Sequence, residues 1–144
     1  MIEQDTIRLL RECDAGIKMG VSSIDEVLDT ARDPQFRKIL IQNKAEHEKL
    51  KAEIQSHLER FHDTGKSPNP IAKGMSRMKT DMKLVMNPSD STIADLMTDG
   101  CDMGVKSLSR YLNQYQAADA CSKDITKRLI ALEQTLEENI RSYL

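Results

Sequence analysis

Cys13-Asp14-Ala15-Gly16-Ile17-Lys18 returns 88 positions later as Cys101-Asp102-Met103-Gly104-Val105-Lys106. The second half of the chain repeats the first in diverged form. Each copy lies in a long helical pattern that a second one follows, so the repeating unit is a pair of helices. Two such pairs bury a common core only by packing on each other.

Outward from the first copy, Ile7, Leu10, Ile17, Val21, Ile24, Leu28 and Ala31 keep a three-and-four spacing, with Asp14 filling the gap in the stripe. This predicts a helix over residues 5–30. Asp33-Pro34 then reads as an N-cap followed by Pro at the first helical position. The next stripe, Phe36, Leu40, Asn43, His47, Leu50, Ile54, His57 and Phe61, predicts a second helix that stops near Gly65. Ser89 or Asp90 caps a third helix carrying Ile93, Met97, Cys101, Val105, Leu108, Leu112 and Tyr115. A polar turn at 116–122 leads to a fourth with Ile125, Leu129, Leu132, Leu136 and Ile140. Ile39, Leu50 and Ile54 fall on Ile125, Leu136 and Ile140 at a constant offset of 86, so both helices of the pair are repeated.

The expected architecture is one all-α domain over residues 1–144, made of helical pairs at 5–63 and 90–144 joined by a crossover at 64–89. A helix of 25 residues is ~37 Å long, and a connection of this length can run from one end of the bundle to the other.

Composition narrows the function classes. Balanced charge, 21 basic against 23 acidic residues, gives no pull toward nucleic acid, and an aromatic fraction of 3% without Trp leaves little on which to stack bases. The chain is long enough to bury about 70% of the surface its unfolded form exposes, so no staple is required. The N-terminus lacks a basic, then apolar, export pattern, and no run approaches the ~18 apolar residues of a membrane span, which predicts a cytoplasmic protein with no transmembrane segment. Cys13, Cys101 and Cys121 show no Cys-x-x-Cys spacing, which excludes zinc ribbons and thioredoxin-like chemistry. Cys13 and Cys101 are expected to act as small buried hydrophobes and Cys121 as the accessible thiol. Neither a phosphate-cradling glycine loop nor a nucleophile motif is present.

The up-down, crossover, down-up order resembles the ferritin-like four-helix bundle. The Cys-Asp-x-Gly stretch and the helix over 33–58 resemble an uncharacterised bacterial branch of that superfamily, a domain of unknown function. The resemblance implies a metal centre built from one Glu on each of two helices and a Glu-x-x-His on each of the others. This chain departs from that pattern. Its one Glu-x-x-His is Glu59-Arg60-Phe61-His62, at the end of the second helix, with no counterpart in the fourth.

A different polar set remains. Asp14, its repeat equivalent Asp102, His47, and its equivalent Glu133 could face one another at one level and hold Fe, Mn or Zn. In the alternative reading no cofactor is bound, and Asp14 meets Asn43 and His47 as a structural polar cluster that fixes register. Gly16, Gly20 and Gly104 each cost about 1 kcal/mol relative to Ala inside a helix. Close packing of the first helix on the third would explain Gly16 and Gly104, and a binding cleft is the competing explanation.

The connection carries the one strong charge asymmetry. From 64 to 87 it holds five basic residues and one acidic residue, +4 in a chain of net −2. Met75, Met78, Met82 and Met86 recur at helical spacing beside Lys79 and Lys83. A crossover helix whose Met face covers the bundle is expected; the alternative is a surface that docks a protein partner, since flexible Met side chains adapt to varied surfaces. The functional expectation is a non-enzymatic bundle that acts by binding or assembly, as a homo-oligomer. The alternative is a metal-binding protein using the Asp14 and Asp102 level.

Overall fold

The computed structural model describes residues 2–68 and 80–144, and Ile71, Met75, Met78 and Lys79 of the connection lie outside them. Four long helices, α1 (Ile2–Leu28), α2 (Pro34–Arg60), α4 (Asp90–Gln114) and α5 (Ala120–Ile140), pack as two hairpins. A short helix α3 (80–86) stands in the connection, and a 3-10 turn, Arg141–Tyr143, follows α5.

The helix starts are set by side-chain caps. The Phe36 N–H donates to Asp33 Oδ1 at 2.9 Å with Pro34 in the first turn, the Thr92 N–H to Ser89 Oγ at 3.2 Å, and the Ser122 N–H to Asp119 Oδ1 at 2.8 Å. Asp33 and Asp119 stand 86 positions apart and cap the second helix of each half in the same way.

Helix α2 ends earlier than Gly65. The His62 N–H donates to the Glu59 carbonyl and the Asp63 N–H to the Leu58 carbonyl, the paired bonds of a Schellman ending. His62 takes the left-handed place there, at φ 54°, where glycine is usual. Gly65, at φ +89°, is needed for another reason, because a Cβ at this position would overlap Asp14 Oδ2.

Named contacts fix the helix directions. At one end the Asp90 carboxylate accepts from the N–H groups of Arg32 and Asp33, joining the start of α4 to the α1–α2 turn. At the other end the Asp119 N–H donates to Thr6 Oγ1 and the Ala117 N–H to Asp5, joining the α4–α5 turn to the start of α1. The order is therefore up, down, down, up, with α1 antiparallel to α4.

The core falls into two apolar clusters. Ile24, Phe36, Leu40, Ile93, Cys101, Leu136 and Ile140 fill one end, and Leu10, Cys13, Ile17, Leu50, Ile54, Ile125 and Leu129 the other. Between them lies a polar level formed by Asn43, His47 and Glu133. Repeat-equivalent residues are alike in being buried, one of each pair in either cluster: Cys13 and Cys101, Leu50 and Leu136, Ile54 and Ile140.

Helix α3 departs from the expected Met-faced packing. Thr80 and Leu84 face the bundle, and Leu84 joins the first cluster, while Met82 and Met86 are exposed together with Val85. Positions 80 and 84 share one side of the helix and 82, 85 and 86 the other, so the methionine side is the one turned outward. Lys83 lies 3.5 Å from Asp95 of α4.

Candidate functional site

The polar level is centred on an imidazole. His47 is fully buried; its Nδ1 lies 2.9 Å from the Asn43 carbonyl and its Nε2 lies 2.8 Å from Glu133 Oε1. A carbonyl can only accept, so Nδ1 carries a hydrogen. Nε2 is thereby left facing the Glu133 carboxyl group. Gly20 makes room for it: a Cβ there would stand 2.8 Å from His47 Nε2.

Of the four residues expected to face one another, the structure brings His47 and Glu133 together and leaves the two aspartates elsewhere. Asp14 is fully buried about 9 Å along α1 from Gly20, six residues at 1.5 Å each. Its Oδ2 accepts from Lys18 Nζ at 2.7 Å and from the Lys66 N–H at 3.0 Å, so its partners are these and not Asn43 or His47. Its Oδ1 and the Oδ1 of Asn43 are buried without a hydrogen-bond partner among the described residues. Asp102 is exposed beside Glu137, whose carboxyl is pushed up by burial and by that neighbouring carboxylate. Of the lone Glu-x-x-His, His62 lies beyond the end of α2. Among the described residues no three His, Cys, Asp or Glu side chains are grouped closely enough to hold a metal ion.

Beside the pair, α1 and α4 stand apart and enclose a cleft of about 450 Å³. Gly16, Met19 and Gly20 form one wall, Met97, Gly100, Met103 and Gly104 the other, and Leu129 and Glu133 of α5 the floor. Close crossing of α1 on α4 is not the reason for Gly16, because a Cβ there, as at Gly100, would meet nothing within 4 Å among the described residues. A Cβ at Gly104 would make only ordinary contact, 3.6 Å from Glu133 Oε2. Among the described residues, helical glycines at 16 and 100 thus border the cleft with nothing against them. At one end of the cleft Lys66 Nζ pairs with Glu12 Oε1 at 2.6 Å, and the Tyr111 hydroxyl is pushed up by burial and by Glu12 beside it.

The thiols divide by environment. Cys13 is buried, 3.2 Å from Thr126 Oγ1, and burial pushes it up to about 11. Cys101 borders the cleft but is also buried, and burial and then the Glu133 carboxylate push it far upward. Cys121 is exposed, with Sγ 3.5 Å from His57 Nε2.

The sequence pattern singles out Gly16, Gly20 and Gly104 but not Gly100, Met19, Met97 or Met103. The signal that carries the rest is a glycine every fourth residue, at 16 and 20 and again at 100 and 104, which places bare positions along one side of each helix. No helix among the described residues is long and apolar enough to cross a membrane. No protein-family model, curated protein or solved structure matches the chain.

Proposed function

We propose that this protein is a ferritin-like bundle, descended from a duplicated helical hairpin, that works by binding an apolar small molecule in the cleft between α1 and α4 and carries out no reaction of its own. The ferritin-like reading is supported by the up, down, down, up order and by the repeat-equivalent caps and buried residues of the two halves. The binding reading is carried by one observation: a cleft of about 450 Å³ bordered by helical glycines at which a methyl group would touch no atom of the described residues. Helix stability alone would favour Ala there by about 1 kcal/mol per site. The volume falls within the few hundred to a thousand Å³ of small-molecule sites.

Titration with 1-N-phenylnaphthylamine, a neutral dye that brightens in apolar surroundings, tests the reading. Saturable uptake is expected in the wild type. Gly16→Leu and Gly100→Leu should keep the helical circular dichroism and lose uptake. Absence of uptake, or unaltered uptake in both variants, overturns the proposal. Protein purified without chelator or affinity tag that carried near-stoichiometric Fe, Mn or Zn, lost in His47→Ala, would favour the metal-binding alternative.

A further inference from the structure

We draw no further inference here: the strongest candidate, the exposed apolar face that Met82, Val85 and Met86 form on α3, carries none because nothing in the structure shows what covers it.

Discussion

His47 Nε2 lies 2.8 Å from Glu133 Oε1, and the two residues hold the same place in their respective helix pairs, 86 positions apart. Equivalent helices run antiparallel, so an approximate twofold relation passes through the middle of the bundle and brings the residues nearest its axis against their own counterparts. Two copies of one titratable residue would meet there as like groups. Divergence into His and Glu makes them complementary.

The pair predicts an asymmetric pattern of substitutions. With Nδ1 donating to the Asn43 carbonyl, the neutral ring can accept at Nε2 from an amide, so Glu133→Gln should cost within about 1 kcal/mol in urea denaturation. His47→Leu strands the Glu133 carboxylate and should cost about 3 kcal/mol. Equal losses in the two variants would show that the contact is not what holds this level of the core.

The glycines give opposite signs at sites that look alike in sequence. Gly16→Ala and Gly100→Ala add a methyl that meets none of the described residues and should each stabilise by up to about 1 kcal/mol. Gly20→Ala brings a Cβ to 2.8 Å from a fully buried imidazole and should destabilise by about 1–3 kcal/mol, the usual cost of overpacking. Melting temperatures of the three variants decide the matter, and a gain at Gly20 would mean that the His47 ring has room to retreat.

The three glycines also show what a sequence can and cannot carry. Helix spacing, the Asp33-Pro34 cap and the offsets of 88 and 86 are local or repeated signals, and they suffice to lay out four long helices and their order. Contacts across helices are not local. Asp14 looks like a seam residue beside His47, yet its carboxylate turns to Lys66 because α2 ends at Arg60 and the chain doubles back past Gly65. His62 in a left-handed place ends α2 before the glycine at which a stop is expected. Met82 and Met86 share one helix side, but nothing in their spacing says which side faces the core, and Leu84 with Thr80 takes that role.

Thiol chemistry should single out one residue. Cys121 is exposed, whereas burial pushes Cys13 to about 11 and raises Cys101 with the help of Glu133. At pH 8 the folded protein should release one equivalent of chromophore rapidly with Ellman's reagent and the other two only on unfolding, since the thiolate is the attacking form. Cys121→Ser should remove the fast phase. A second fast equivalent would mean that Cys101 is reached through the cleft.

Acid stability should follow two surface ion pairs. Hydrogen bonding to Arg11 holds the Asp63 carboxyl below its usual value, and Arg128 does the same for Glu53. A carboxyl depressed in the folded state stabilises fully above its unfolded pKa of about 4, and that contribution is lost as pH falls through the folded value. Glu137, raised by burial and by Asp102, acts in the opposite sense, because acidification relieves its repulsion. The net expectation is a falling urea midpoint between about pH 5 and 3. Asp63→Asn with Glu53→Gln should flatten that fall, and Glu53→Gln alone should cost under about 1 kcal/mol at pH 7 because both partners of that pair are solvent-accessible.

The two sides of α3 separate core packing from association. Leu84 is buried against the first cluster, so Leu84→Ala should cost about 2–3 kcal/mol through lost transfer energy and the cavity left behind. Met82 and Met86 are 65% and 82% exposed, so replacing both with Ser should leave stability within about 0.5 kcal/mol, as for ordinary surface changes. With Val85 they make a small apolar face on a helix whose other side is already occupied. If copies of the chain associate through that face, the double Ser variant should sediment as a smaller species than the wild type at the same concentration while melting at the same temperature. A lower melting temperature without any change in sedimentation would mean instead that these methionines fold down onto the bundle in solution.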